Sequence, residues 1–296
     1  MKATEGKGII NKLNLFAYSN VYLALGVSSL AYASSILLID SVNIFPLLIV
    51  FLMTFSMYTL NRKTDVTEDL VNHPERALFF QKFGKPLFIL AAISYPLALG
   101  LSFRGGSWAF LPLLIVLAFG FLYSFPWIPR RMGKGYRRLK DITLLKNLTV
   151  AVASAVTCVL VPVFYGSLSL SVSVIVVFLF IVFRVFMNTI SFDMRDLEGD
   201  KREGIKTIPV LVGVSKTKLL LYSLNIAVAI MVLISVLYGA LPVLAYFLLL
   251  SSAYAHVYIY LFDKKNVNKD FLCDIVIDGE TILIGIYILI GKVVLT

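Results

Sequence analysis

The run SVSVIVVFLFIVF, residues 171–183, carries no charge and no regular polar alternation. A chain that enters hydrocarbon must satisfy its own backbone N–H and C=O groups, which leaves helices and closed β-barrels. Barrel strands alternate polar and apolar side chains with a period of two. This run does not, so it predicts a helix. Apolar runs of this kind recur along the chain, each near the roughly 20 residues a helix needs to cross a bilayer. Nine spans are predicted, over about 13–38, 44–60, 86–103, 108–128, 142–165, 170–192, 217–238, 240–262 and 275–295. The chain is 59% hydrophobic, against about 45–50% for a soluble domain. The expected fold is all-α: a polytopic membrane protein, one domain over 1–296, with its helices around a central cavity that opens at the cytoplasmic side.

The placement of charge gives the orientation. Of 27 Lys and Arg, all but Arg104, Lys292 and Arg184 fall in the N-terminus, in the loops after spans two, four, six and eight, or at the adjoining span ends (Lys146 and Lys218). Basic loops mark the cytoplasmic side. The N-terminus is therefore expected inside and the C-terminus outside, in an integral membrane protein of the plasma membrane if the cell is prokaryotic. Insertion bias and anionic headgroups account for the net charge of +10, and no nucleic-acid partner is expected. Cys158 and Cys273 form no disulfide framework. The first span lacks a small-residue cleavage site and reads as retained. Its Gly26, Ser28, Ser29 and Ala33 allow close helix approach, so it is expected to present a packing face.

Two acidic stretches stand out. Asp193, Asp196, Glu198, Asp200 and Glu203 lie within eleven residues at the end of span six. On a helix Asp193, Asp196 and Asp200 are spaced i, i+3, i+7 and share one face. Three carboxylates on one face repel each other unless a cation lies between them, and Mg2+ prefers such hard oxygen donors. The plainer alternative is a solvated acidic loop. At the end of span two, Asn61, Asp65 and Asp69 are spaced i, i+4, i+8. Four spans separate the two stretches, so both face the same side and are expected to meet across a shared cavity. His73 and Pro74 are expected to end the helix there, with His73 a loop residue.

The loop PRRMGKGYRRLKDITLLKN between spans four and five is basic enough to cover a diphosphate, although the positive-inside bias alone explains it equally well. Arg184 lies inside span six and should face a polar interior or pair with an acid. Asp278 and Glu280 are expected to face the cavity, without an obvious basic partner nearby. His256 reads as a packing residue. Together these features suggest a substrate with an anionic diphosphate head and an apolar tail, with aromatic faces such as Phe51, Phe55, Tyr58, Phe119 and Phe186 available to a carbocation.

At the level of motifs, the chain resembles the UbiA superfamily of intramembrane prenyltransferases. NRKTDVTED, Asn61 to Asp69, is similar to the family's NDxxDxxxD motif, and NHPER, Asn72 to Arg76, to its NxPxRP extension. DMRDLEGD, Asp193 to Asp200, continuing to Gly204, Thr207, Pro209 and Gly213, is similar to DxxDxxGD…G…T…P…G. YRRLK, Tyr136 to Lys140, is similar to YxxxK. Arg62 and Ala77 depart from the pattern, where many members carry Asp and Pro. The resemblance implies Mg2+-dependent transfer of an isoprenyl group from an isoprenyl diphosphate to a lipophilic acceptor, aromatic or lipid, in lipid or quinone biosynthesis. It implies that Asn61, Asp65, Asp69, Asp193, Asp196 and Asp200 hold Mg2+, and that Tyr136, Lys140, Arg76 and Arg195 hold the diphosphate. Asp65, Asp193 and Lys140 are then the catalytic candidates. No organic cofactor is implied. The base that deprotonates the acceptor is not identified; Asp278 and His256 are candidates. The competing reading is an ion-coupled secondary transporter, whose acids would lie near the bilayer midplane rather than at the cytoplasmic ends of spans.

Overall fold

The structure is a computed structural model that describes residues 15–63, 73–106, 108–129 and 136–295. The chain is an α-helical bundle, with a two-stranded ribbon (β1, Ile128–Pro129; β2, Tyr136–Arg137) between two of its helices. In chain order the helices are α1 (Val21–Ile39), α2 (Ile44–Asn61), α3 (Pro74–Ser102), α4 (Leu111–Ser124), α5 (Leu145–Tyr165), α6 (Val172–Arg195), the short α7 (Leu197–Glu203) and α8 (Ile208–Val212), α9 (Val214–Leu237), α10 (Val243–Leu261) and α11 (Asp278–Leu295).

Among the described residues seven helices are long and apolar enough to cross a membrane: α1, α2, α3, α5, α6, α9 and α10. α4 is apolar but shorter. α11 carries Asp278, Glu280 and Lys292 along its 18 residues. The fold is thus the expected all-α polytopic membrane protein. Ends are set by local chemistry. The Asn43 and Ser171 side chains accept the backbone N–H of Phe45 and Val174 to cap α2 and α6. Gly204, at φ +70°, closes α7 in the left-handed region. Pro74, expected to end a helix, begins one; residues 64–72 before it lie outside the described residues. It stands at the first position of α3, where a missing N–H costs nothing and φ is already helical. α3 therefore starts twelve residues before the predicted third span.

α1 is the packing helix its small residues predict. It lies so close to α11 that a Cβ on Gly26 would meet Thr281 Oγ1 at 2.1 Å, one on Gly279 would meet Tyr22 Oη at 2.6 Å, and one on Gly285 would meet Ser29 Oγ at 2.0 Å. Close approach of this kind lets backbone atoms supply dispersion contacts that lipid cannot supply as a driving force. Two π-turns interrupt the bundle, Val156–Leu160 inside α5 and Leu272–Ile277 leading into α11.

Candidate active site

α2 and α6 end, and α3, α5 and α11 begin, around one end of the bundle. Between them a cavity of about 260 Å³ runs into the helices. Its inner wall is apolar, with Leu23, Val27 and Leu30 from α1, Val150 from α5 and Val185 from α6. Its outer end is charged.

Several charges at that end are held by neighbours. Lys146 Nζ donates to Asp193 Oδ1 at 2.9 Å and Asn147 Nδ2 to Oδ2 at 2.8 Å. Both donors sit in the first turn of α5, facing the last turn of α6. Arg195 is a hub. It donates to Asp196 from Nε at 2.8 Å and from Nη2 at 3.2 Å, and to Asp274 Oδ1 from Nη1 at 2.7 Å. Its Nη2 lies 3.0 Å from His73 Nε2, and its guanidinium covers the Phe192 ring. Arg76 donates to both oxygens of Asp274, at 3.1 and 3.2 Å. Charge-assisted bonds in partly desolvated sites are the strong ones. Burial pushes the Asp196 carboxyl up, but His73 and Arg195 outweigh it and hold the group well below the usual carboxylate range.

Deeper in the bundle lies a second network. Arg184 of α6 pairs with Glu280 of α11 and donates to Asn225 Oδ1 at 2.7 Å and to the Ser251 carbonyl at 2.6 Å. The Tyr258 hydroxyl donates to Glu280 Oε2 at 3.3 Å. Arg184 is 2% exposed and Glu280 is fully buried. The expectation that Glu280 faces the cavity without a basic partner is therefore corrected: it is buried against Arg184 and is not part of the cavity lining, whereas Asp278 does line the cavity. Asp274 is gripped by Arg76 and Arg195, and Glu280 by Arg184. These pairings join residues 79 to 198 positions apart, which no local spacing reveals.

The structure brings Asp193, Asp196, Arg76 and Arg195 together at the charged end, beside Arg62 at the end of α2. It does not keep Asp193, Asp196 and Asp200 on one unbroken helix face. α6 ends at Arg195, Asp196 lies at φ −84°, ψ 4°, and Asp200 belongs to α7. Tyr136 is exposed on β2, and Lys140 is buried beside a smaller crevice shared with Asp193 and Thr207. Neither lines the main cavity. Asn61 accepts a hydrogen bond from Ser124 at 3.0 Å. Asp65 and Asp69 lie outside the described residues. Of the aromatic candidates Tyr58 lines the cavity, and His256 packs on Tyr222 instead.

His73, read from sequence as a loop residue, lines the cavity and lies 3.4 Å from Asp196 Oδ1. Asn147 was missed altogether. The available signal was a polar pair, Lys146-Asn147, one turn inside an apolar span.

No group of three or more His, Cys, Asp or Glu poised to hold a metal occurs among the described residues. The chemistry of the donors nevertheless suits a hard divalent cation. Asp200 provides the direct sign. Its Oδ2 is buried, and Thr207 Oγ1 lies near it without hydrogen-bond geometry. Burial pushes the Asp200 carboxyl up to about 6, with Asp193 and Asp196 adding to the rise against the opposing pull of Lys146. It is a carboxylate short of positive charge.

Fold and cavity together define a polytopic membrane protein with a cavity that is charged at one end and apolar along its inner wall. The chain belongs to the UbiA prenyltransferase family, whose model matches residues 20–273. It is 31% identical over 183 residues to the digeranylgeranylglyceryl phosphate synthase of Sulfolobus acidocaldarius, a match covering 58% of each chain. Against the first of these curated relatives, the chain spans little more than half of their length. Among solved structures it resembles a UbiA homolog from Archaeoglobus fulgidus bound to GPP and Mg2+, with a TM-score of 0.65 and 16% identity over 93% of this chain and 99% of that one. It also resembles the apo UbiA homolog from Aeropyrum pernix K1, with a TM-score of 0.68 and 14% identity over 93% of this chain and 97% of that one. At such identities these likenesses show the fold.

Proposed function

We propose that this chain is an intramembrane prenyltransferase that moves an isoprenyl group from an isoprenyl diphosphate to the hydroxyl of a prenylated glyceryl phosphate, forming an ether lipid. One observation carries the reading: a single cavity runs from the cluster of Lys146, Asp193, Arg195, Asp196 and Arg76 to an apolar wall of Leu23, Val27 and Leu30. A diphosphate head and a prenyl tail need that order of surfaces. The glyceryl phosphate acceptor is favoured because the curated relatives are digeranylgeranylglyceryl phosphate synthases. Mg2+ would be held by Asp193, Asp196 and Asp200 with Asn61, Asp65 and Asp69, and when bound it supplies positive charge to the leaving diphosphate. Arg76, Arg195 and Lys146 add fixed positive charge at the same end, and Tyr136 and Lys140 belong to the loop that would cover it. In the transfer the allylic C–O bond breaks and its electron pair leaves with the diphosphate. The acceptor oxygen bonds to the freed carbon and loses its proton. The charged end lies where the basic loops gather, so the site faces the cytoplasm.

The test uses membranes containing the protein, labelled isoprenyl diphosphates and a panel of acceptors: prenylated glyceryl phosphate, aromatic acids and quinone precursors. Mg2+-dependent formation of a diprenyl ether from the glyceryl phosphate is expected. Prenyl transfer to an aromatic acceptor alone would refute the acceptor, and unchanged transfer in excess chelator would refute the metal.

A further inference from the structure

The π-turn that leads into α11 and the first turn of α11 carry three acids, Asp274, Asp278 and Glu280. Asp274 is neutralised by Arg76 and Arg195, and Glu280 by Arg184. Asp278 lies between them and differs. It lines the cavity, and although its backbone carbonyl accepts from Thr281, its carboxylate makes no hydrogen bond or ion pair with the described residues. An unpaired carboxylate in a membrane protein's interior is costly and calls for a use. We infer that Asp278 is the catalytic base that accepts the acceptor's proton, an assignment that rests on the prenyl-transfer reading.

The backbone beneath it is shaped for that aim. Residues 272–277 form a π-turn, a form that recurs at functional sites because it redirects the side chains that follow. Widening a helix frees carbonyls from their usual partners, and here two tyrosines answer them. Tyr22 of α1 donates to the Ile275 carbonyl at 2.9 Å, and Tyr254 of α10 donates to that of Val276 at 2.9 Å. Gly279 admits the Tyr22 hydroxyl where a Cβ would lie 2.6 Å from it. Asp278 is thus fixed from two sides, with its carboxylate open to the cavity. Its position also suits the reaction. The charges that act on it are Asp274 on its own turn, Arg76 from α3, Arg195 from α6 and Arg62 at the end of α2. It therefore stands next to the anion-binding end but is tied into none of that end's ion pairs. Of the cavity's other carboxylates, Asp193, Asp196 and Asp274 each hold a cation already.

The proton balance is simple. As the allylic C–O bond breaks and diphosphate departs with the electron pair, the acceptor hydroxyl oxygen bonds to the prenyl carbon. Its proton passes to an Asp278 carboxylate oxygen, leaving a neutral ether and a carboxylic acid that reloses its proton to water at the cavity mouth.

The experiment compares wild type, Asp278→Asn and Asp278→Glu in detergent with Mg2+. It reads three quantities: transfer to the acceptor, donor binding, and slow diphosphate release to water without acceptor. Asp278→Asn should lower the rate of transfer about 10²–10⁴-fold, the usual worth of a positioned base. Donor binding and diphosphate release should stay within about threefold, and Asp278→Glu should recover most of the transfer. The inference is overturned if Asp278→Asn transfers at the wild-type rate. It is equally overturned if both variants lose donor binding or diphosphate release in step with transfer, which makes Asp278 part of the donor site or of the fold. If wild type itself transfers no prenyl group, the prenyl-transfer reading fails, which is a separate result.

Discussion

Replacing Glu280 by leucine tests the physics of the bundle interior. Arg184 and Glu280 touch each other out of reach of solvent. Glu280→Leu strands a guanidinium that cannot shed its proton. Breaking a buried pair in this way costs about 3–5 kcal/mol. The remaining bonds of Arg184 to Asn225 and Ser251 keep the loss from growing further. Arg184→Met strands a carboxyl instead, which can neutralise itself by taking up a proton, so its cost falls at the lower end of that range. The double variant Arg184→Met/Glu280→Leu removes both charges. Swapping a buried pair for apolar side chains returns about 1–4 kcal/mol, and the Asn225 oxygen left without its donor takes back about 1–3 kcal/mol, while the Ser251 carbonyl keeps its place in the helical ladder of α10. The double variant should therefore lie near wild type and above both single variants. Equilibrium unfolding of detergent-solubilised protein, followed by circular dichroism, measures all four. A loss under about 1 kcal/mol for Glu280→Leu, or a double variant less stable than both singles, would refute the reasoning.

Other outcomes follow from the same contacts. Asp193→Ala should abolish prenyl transfer while the purified protein stays folded, and so should Asp65→Ala; undiminished transfer by either, measured with labelled donor, removes that residue from the site. Asp200 titrates from about 6 in the folded protein against an ordinary 3.8, so the folded state holds the proton more tightly and wild-type stability falls as pH rises from about 4 through about 6. Without Mg2+, Asp200→Asn should remove that fall, which thermal unfolding at pH 4 and pH 7 reads directly. Gly26→Ala should cost about 1–3 kcal/mol by overpacking against Thr281, whereas Gly100→Ala, which meets nothing within 4 Å, should be neutral or slightly stabilising; equal thermal midpoints for the two variants would contradict the close α1–α11 approach.

Much of the fold was legible because bilayer crossing is a one-dimensional demand. A run such as residues 171–183 has one solution, and α6 occupies it. The small residues of α1 announced its packing face for a similar reason, since only small side chains let two backbones approach. Helix limits were less legible. Pro74 reads as a terminator until the helix that follows is seen to begin on it. The acidic stretch 193–200 reads as one helical face, but the helix breaks at Asp196. Spacing assumes a continuous helix, which one residue out of helical geometry, Asp196 at ψ 4°, is enough to end.

The sequence by itself determined the class, an all-α membrane bundle, because hydropathy acts locally along the chain. Only the tertiary structure decided which charge answers which. Arg184 with Glu280, Arg76 and Arg195 with Asp274, and Lys146 with Asp193 are partners 47 to 198 residues apart. Their pairing depends on which helices become neighbours. It is that pairing which leaves Asp278 open to the cavity, a distinction that three acids close together in the sequence do not show.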